Sequence, residues 1–199
     1  MRVFVSGASG WIGSAVVPEL IGAGHQVVGL ARSDASASAL TAAGPEVYRG
    51  TLDDLDGLRT AVAASDGVIH LAFKHDLAFS GGFQSAADAD RRAIEAFGEA
   101  LTGSDRPFLI ASGTLGLTSG RVATERDGHG ANSAVAATGS GPVTRLGNAE
   151  ITLSFASHGV RSSVVRLPPT VHGDGDHGFM ATLVGIARDK GVAGFIRTA

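Results

Sequence analysis

The sequence of 199 residues contains no cysteine, a single tyrosine and two lysines, Lys74 and Lys190. The absence of cysteine excludes disulfide bonds, thiolate metal ligands and a cysteine nucleophile, and it fits a reducing compartment, so we expect a cytoplasmic protein. No run of about 18 apolar residues is present, so the sequence predicts no membrane span. The net charge of −3 and the scattered arginines provide no basic surface for nucleic acid.

What the chain does contain is a regular alternation of short apolar runs and longer alanine-rich segments, which is typical of a parallel sheet with crossover helices. The predicted strands are Val3–Val5, Gln26–Leu30, Glu46–Tyr48, Gly67–Leu71, Phe108–Ala111 and Ser163–Arg166. The predicted helices are Ile12–Ala23, Ala35–Ala43, Leu55–Ala64, Gln84–Leu101, Asn148–His158 and Phe179–Lys190. We expect an α/β fold with a doubly wound parallel sheet. Gly120–Gly141 is predicted to be a mobile loop, a single helical turn over Ser133–Ala137 being the alternative, and Val192–Ile196 a last short strand.

The first predicted strand runs directly into the glycines Gly7, Gly10 and Gly13, which open an apolar-periodic helix. Glycine is needed there because the chain must turn sharply, approach a pyrophosphate closely and pack the helix tightly on the strand. A glycine triplet is weak evidence in a chain with 29 glycines. The preceding strand, the following helix and the second strand at the expected distance support it. We predict that the amides at this helix N-terminus hold a dinucleotide pyrophosphate, with Ser9, Trp11 and Ile12 also in contact.

The end of the second predicted strand carries information on the choice of cofactor. An acidic residue there would bind the ribose hydroxyls of NAD, but the chain reads Arg32–Ser33. A guanidinium at this position can pair with the 2′-phosphate of NADP, and Ser33 can act as a neutral donor. The sequence therefore favours NADP over NAD, the alternative being a solvated arginine at a strand end.

Four stretches resemble the extended short-chain dehydrogenase/reductase family, the NAD-dependent epimerase/dehydratase group. These are Gly7–Gly13, Gly50–Asp53, Asp66–Ala72 and Arg166–Gly173. The resemblance implies a Rossmann-type domain over residues 1–199, an atypical member whose smaller substrate lobe begins near 174 and is largely absent. It also implies further residues at the cofactor. They are Thr51 and Leu52 beside the adenine, Leu71, Ala72 and Phe73 along the fourth strand, and Pro168 and Thr170 beside the nicotinamide.

The family's acid/base pair is the main departure from this resemblance. The family places a tyrosine and, four residues later, a lysine that lowers the tyrosine pKa. At the matching positions this chain has Thr144 and Asn148, and its single tyrosine, Tyr48, is at the end of the third strand. Thr114 matches the family's hydroxyl after the fifth strand, with Ser112 as its neighbour. His75, after the fourth strand, is the candidate substitute proton donor, a solvated loop histidine being the alternative.

The resemblance implies an NADP-dependent oxidoreductase or epimerase-like protein that acts on a small carbonyl or alcohol substrate. The alternative is a non-catalytic NADP-binding redox sensor or interaction module, which the missing tyrosine and lysine favour. His172–His177 holds two imidazoles and two carboxylates, but glycine and aspartate also form ordinary turns, so we predict no metal there. By analogy with the family, the Gln84–Leu101 helix would pack against a second subunit in a homodimer.

Overall fold

A computed structural model of the chain describes residues 1–114, 117, 120–127, 142–176 and 178–194. Six parallel strands form one sheet in the order β3-β2-β1-β4-β5-β6. The strands are β1 (Arg2–Ser6), β2 (Gln26–Ala31), β3 (Glu46–Arg49), β4 (Gly67–His70), β5 (Pro107–Gly113) and β6 (Arg161–Leu167). The chain thus winds outward from β1 to one edge, returns, and continues from β4 to the other edge, which confirms the doubly wound sheet.

Helices connect the strands. They are α1 (Gly13–Gly22), α2 (Asp34–Ala43), α3 (Leu55–Ala63), α4 (Phe83–Leu101), α5 (Pro142–Ser154) and α6 (Phe179–Lys190). A single helical turn, His75–Leu77, and a wider turn, Ala78–Gly82, precede α4, and a 3₁₀ turn, Phe155–His158, follows α5. The capping signals act as their residue types predict. Asp54 accepts a hydrogen bond from the Gly57 amide at the start of α3, and Gly44 ends α2 in the left-handed conformation.

Two apolar clusters fix the helices to the faces of the sheet. The larger contains Phe4, Phe97 and Phe108, all fully buried, and joins α3 and α4 to β1, β4 and β5. The smaller lies around Val5, Val17 and Leu40 and joins α1 and α2 to the other face. These clusters hold the carboxyl ends of the strands in fixed positions along one edge of the sheet, which is where ligands bind in such folds.

Three sequence-based boundaries differ from the structure or fall outside it. The helix predicted over Asn148–His158 begins earlier, at Pro142, and its last four residues form the 3₁₀ turn. Within the predicted last strand, residues 192–194 are not in a strand, while 195–196 lie outside the described residues. In the predicted loop Gly120–Gly141, residues 120–127 are irregular and residues 128–141 lie outside the described ones.

Candidate functional site

The turn between β1 and α1 has no room for side chains at two of its glycines. Gly7 has a φ of +73°, and a Cβ there would lie 2.7 Å from the amide nitrogen of Ala72. A Cβ on Gly13 would lie 2.1 Å from the carbonyl oxygen of Gly7. The Gly10 amide donates to the Gly7 carbonyl at 2.9 Å and closes the turn. Ser9, Gly10 and Trp11 are exposed at its surface, so the N-terminus of α1 is open to an anionic ligand.

The residues predicted after β2 lie beside this turn, because β2 and β4 flank β1 on either side. Arg32 is exposed and pairs with Asp76, which follows β4, at 3.3 Å. The ion pair between Arg32 and Asp76 therefore lies across the carboxyl end of β1. Ser33 is the N-cap of α2, and its hydroxyl accepts a hydrogen bond from the Ser36 amide at 3.2 Å. A second cation that sequence reasoning missed, Arg49, donates to the Ser33 carbonyl at 2.5 Å.

The residues predicted after β3 and β4 fall on the same edge of the sheet. Thr51 is exposed, whereas the Leu52 side chain is buried in the larger apolar cluster. Leu71, Ala72 and Phe73 are half-buried and directly follow β4. A side-chain link that the sequence did not reveal joins the two segments, because the Lys74 ammonium donates to both carboxylate oxygens of Asp53, at 2.6 and 2.7 Å.

The loop after β6 contacts the glycine turn through the single tryptophan. The Trp11 indole N–H donates to the Val171 carbonyl at 2.8 Å. Pro168 is exposed and Thr170 half-buried in the same loop. This contact joins segments 160 residues apart, so the predicted nicotinamide loop lies against the glycine turn.

The predicted hydroxyl residues lie where β5 ends. Ser112 pairs with Arg166 of β6 near the end of β5. The Thr114 amide extends this pairing by donating a hydrogen bond to the Leu167 carbonyl at 3.1 Å. Thr114 is half-buried and Ser112 is buried. Within the described part of the chain, the Ser112 hydroxyl is the one buried side-chain group without a hydrogen-bond partner. Both residues line a cleft of about 340 Å³.

Arg145 is a further side chain at this edge that the sequence did not single out. Its guanidinium lies 4.3 Å above the ring of Phe73 and donates to the Ala111 carbonyl of β5 at 3.0 Å. The Phe73 ring in turn meets His75, whose ring stacks on Phe79. Partial burial and the positive charge of Arg145 lower the pKa of His75. The neutral imidazole therefore predominates at pH 7.

Thr144 and Asn148 do not line the cleft that contains Ser112 and Thr114. Both are buried where α5 packs on α4. The Thr144 hydroxyl donates to Gln84 at 3.1 Å, and the Asn148 amide donates to the Ala87 carbonyl at 3.0 Å and to Asp90 at 2.7 Å. Arg145, one position along the helix from Thr144, points instead to the carboxyl edge of the sheet. At the positions matched to the family's acid/base pair, the chain therefore has side chains that join two helices.

Asp90 is the centre of a buried polar network beneath the site. Its carboxylate is 3.0 Å from Nε2 of His70, and Nδ1 of that ring is 2.5 Å from the Ser6 hydroxyl. Burial alone would raise the pKa of Asp90, but the hydrogen bonds from His70 and Asn148 and the charge of Arg145 together lower it. The network joins the end of β1 to β4, α4 and α5.

A serine that contacts a histidine, which in turn contacts an aspartate, is also the catalytic arrangement of many nucleophilic enzymes. Here Ser6 is 0% exposed and His70 2% exposed. No substrate can reach a hydroxyl buried beneath the sheet edge. The array is therefore structural, and it fixes the strand end that carries the glycine turn.

The lowered pKa of Asp90 predicts a pH-dependent contribution to folding. The ionised group stabilises the fold above the ordinary pKa of an unfolded aspartate, about 3.9, and this contribution is lost as the pH falls through the lower folded value. In denaturant titrations, Asp90→Asn should cost about 1–3 kcal/mol of unfolding free energy at pH 7. The difference from the wild type should shrink below about pH 4.

Asp88→Asn is the matched control for this charge change, because Asp88 is on the same helix but half-buried, where it accepts a hydrogen bond from Gln84. Parallel stability curves for the wild type and Asp90→Asn between pH 3 and 7 would show that the network does not stabilise the ionised form.

Neither a metal site nor a membrane-spanning helix is found among the described residues. Among those residues, no group of three or more histidine, aspartate or glutamate side chains is placed to hold a metal ion. Asp176 accepts a hydrogen bond from the Gly178 amide in the manner of a turn, and His177 lies outside the description. No described helix combines the length and apolar character that a membrane crossing requires.

The strand order and the glycine turn together define a Rossmann-type dinucleotide-binding fold. Residues 7–127 match the model of a family described as NAD(P)H-binding. The chain belongs to this NAD(P)H-binding family.

Two curated relatives match nearly the whole chain. An uncharacterized protein of Schizosaccharomyces pombe is 48% identical over 197 residues, and an uncharacterized protein of Saccharomyces cerevisiae is 43% identical over 198. Each match covers 98% of this chain and 63% of the relative. The chain therefore spans a little under two thirds of the length of these relatives.

Among solved structures, UDP-glucose 4-epimerase of Thermotoga maritima superposes with a TM-score of 0.64 and 18% identity, over 83% of this chain and 55% of that one. Vestitone reductase of Medicago sativa superposes with a TM-score of 0.63 and 18% identity, over 83% of this chain and 56% of the other. At this level of identity the likeness establishes the fold. It assigns neither substrate.

Proposed function

We propose that the protein is an NADP-dependent oxidoreductase or epimerase-like enzyme that acts on a small carbonyl or alcohol substrate. The observation that carries the proposal is the glycine turn, where Gly7 and Gly13 exclude any Cβ and the N-terminus of α1 is open. The glycine turn and the N-terminus of α1 fit a pyrophosphate, because backbone amides and the helix dipole favour a dianion there.

The preference for NADP rests on Arg32. It is a cation at the end of β2, where NAD-dependent relatives of this fold have an acidic residue. Its side chain is 69% exposed and its partner Asp76 is 88% exposed. A pair so accessible to water stabilises the fold by about 0–1 kcal/mol. Arg32 is therefore free to turn to a 2′-phosphate at little cost.

A reduced nicotinamide bound at this edge of the sheet would supply a hydride, and the protein would supply orientation and proton transfer. Thr114, at the end of β5, is placed to donate a hydrogen bond to a substrate oxygen. In the direction of alcohol oxidation, with an oxidised nicotinamide as the hydride acceptor, neutral His75 fits the role of proton acceptor. In the direction of carbonyl reduction the same imidazole, once protonated, would be the proton donor that the sequence predicts. Arg145, fixed by Phe73 and the Ala111 carbonyl, adds a positive charge that favours an oxygen with developing negative charge.

The experiment follows the absorbance of the reduced nicotinamide while NADPH and a panel of aldehydes, ketones and sugar nucleotides are mixed with the protein. Once a substrate is found, Thr114→Val should lower kcat/KM by about 100-fold, the cost of removing one donor to a reacting oxygen. The dissociation constant of NADPH should stay within about twofold of the wild-type value, because Thr114 does not lie in the glycine turn. Unchanged turnover in Thr114→Val would remove Thr114 from the mechanism.

A second function is favoured by the positions of Thr144 and Asn148. Because these side chains are committed to packing between α4 and α5, the chain lacks the family's proton relay, and cofactor binding can persist without hydride transfer. A non-catalytic NADP-binding sensor or interaction module is this second candidate. Tight binding of NADPH without oxidation by any member of the panel would select it.

A further inference from the structure

An ion pair lies at the corner between β2 and α2, which carries the residues proposed to bind the 2′-phosphate. Arg49 is the last residue of β3 and is in register with Ala31, the last residue of β2. Its guanidinium reaches past the end of β2 to the start of α2. Nη1 donates to the Ser33 carbonyl and Nη2 to the Asp34 carboxylate, each at 2.5 Å. One side chain of β3 therefore pairs with the first residue of α2.

The position of Asp34 makes its charge important for cofactor binding. Asp34 follows Ser33 directly and lies two positions after Arg32, and two residues of chain span at most about 7 Å. Its side chain is 99% exposed. Charges this close repel each other at ordinary ionic strength, because the Debye length is about 10 Å at 0.1 M salt. An unpaired Asp34 would therefore oppose the binding of a 2′-phosphate and have little effect on NAD, whose ribose hydroxyls are neutral.

The four charged side chains around this corner are paired in the folded chain. Arg32 pairs with Asp76 at 3.3 Å, and Arg49 pairs with Asp34. When a 2′-phosphate takes the place of Asp76, Arg49 still neutralises the carboxylate of Asp34. The positive charge of Arg32 then acts on the phosphate alone, because no second carboxylate nearby is left unpaired.

The conformation of the corner does not depend on Arg49 alone. The Ser33 carbonyl also accepts hydrogen bonds from the Ala37 amide, at 3.0 Å, and from the Ser36 hydroxyl, at 2.9 Å. The Arg49 side chain is 50% exposed, so the loss of its ion pair should cost the fold little. The contribution of Arg49 that no neighbour replaces is its positive charge next to Asp34.

We propose that Arg49 is a second residue that determines the preference for NADP, and that it acts by neutralising Asp34 rather than by contacting the nucleotide. This inference rests on the proposed function, because it requires a 2′-phosphate bound at Arg32. Arg49 is thus a positioning residue, which keeps the carboxylate beside the phosphate paired and leaves the phosphate to Arg32.

The test compares two substitutions that break the same ion pair and leave opposite charges behind. Arg49→Gln leaves the Asp34 carboxylate unpaired, whereas Asp34→Asn leaves the Arg49 guanidinium unpaired. In calorimetric titrations at low ionic strength, Arg49→Gln should raise the dissociation constant of NADPH by roughly 3- to 10-fold. An exposed charge changes the affinity for one opposite charge by up to about fivefold, and a phosphate carries nearly two charges. Asp34→Asn should leave this constant unchanged or lower it by up to about fivefold.

Three further measurements separate the charge of Arg49 from a role in holding the corner together. The dissociation constant of NADH should change by less than about twofold in both variants. The double variant Arg49→Gln/Asp34→Asn should bind NADPH within about twofold of the wild type, because it contains no unpaired carboxylate. In 1 M salt, where the Debye length is about 3 Å, the difference between Arg49→Gln and the wild type should fall below about twofold.

Arg59→Gln is the matched control for the change in net charge. Arg59 lies on α3, is 40% exposed, and pairs with Asp56 at 3.2 Å and with Glu99 at 2.9 Å. Its replacement should leave the dissociation constants of NADPH and NADH within about twofold of the wild-type values. All variants should melt within about 4 °C of the wild type, since an exposed ion pair contributes little to folding.

The wild type and Arg32→Ala are titrated alongside, so that a failure of the proposed function is seen separately from a failure of this inference. Equal affinity of the wild type for NADPH and NADH would overturn both. A preference for NADPH that Arg32→Ala loses and Arg49→Gln retains in full would overturn the role of Arg49 alone. Equal weakening in Arg49→Gln and Asp34→Asn, no rescue in the double variant, or a larger fall in the melting temperature of Arg49→Gln would assign Arg49 to the fold instead.

Discussion

Replacing Gly13 by alanine is expected to destroy cofactor binding and to lower the unfolding free energy by about 3 kcal/mol or more. The new Cβ would lie 2.1 Å from the Gly7 carbonyl oxygen and 2.6 Å from that of Ala8. Both obstacles are backbone atoms within the turn, so the chain cannot relieve the overlap by a change of rotamer. Thermal denaturation should show a fall of roughly 6–12 °C for a chain of this size. Calorimetric titration with NADPH should show no heat of binding.

Gly22→Ala is the matched control for this prediction. Gly22 is the last residue of α1, and a Cβ there would meet nothing within 4 Å. The same substitution at this position should raise the unfolding free energy by about 0.5–1 kcal/mol, because alanine loses less entropy than glycine in a helix. If Gly13→Ala behaves like Gly22→Ala and binds NADPH normally, the glycine turn is not the pyrophosphate site.

Removal of the Arg32 guanidinium is expected to raise the dissociation constant of NADPH by about 10- to 100-fold. A hydrogen-bonded contact between two charged groups contributes about 1.5–3 kcal/mol, which corresponds to this factor. The dissociation constant of NADH should change by less than about twofold, because NADH has no phosphate for Arg32 to contact. Direct titration of Arg32→Ala with both nucleotides measures the two effects.

Asp76→Ala provides the opposite control. It removes the carboxylate that pairs with Arg32 at 3.3 Å, so the guanidinium no longer has to leave a partner when the phosphate arrives. NADPH should bind as tightly as to the wild type or up to about fivefold more tightly, since an exposed pair contributes about 0–1 kcal/mol. Equal affinity of the wild-type protein for NADPH and NADH would contradict the preference for NADP.

The fold was predictable because its strands and helices are marked by local signals. All six predicted strands are present, with ends that differ by at most two residues, since short apolar runs bounded by glycine or polar residues have few alternative structures. The start of α5 was missed because Gly147 and the glycine-rich stretch before the helix obscure its periodicity. Pro142 at its first position is a start signal that could have located it.

The candidate site was predictable only where it follows strand ends. The glycine turn, Arg32 and Thr114 come directly after β1, β2 and β5, and parallel strands bring such positions to one edge. Arg145 and the pair of Lys74 with Asp53 depend on which way a side chain turns and on what faces it across the sheet. Asp90 could not be separated from the exposed charges of α4 by its residue type, because burial is decided by the packing of α5.

The contact between Trp11 and Val171 also holds an intrinsic fluorophore at the glycine turn. Trp11 is the one indole in the chain, it is 39% exposed, and it sits next to Gly10 in the turn that would hold the nucleotide. The tryptophan fluorescence of the protein therefore originates from Trp11 alone, and its emission wavelength and intensity depend on how much water surrounds the indole. A fluorimeter alone can then follow nucleotide arrival in every variant described above, with no dye attached.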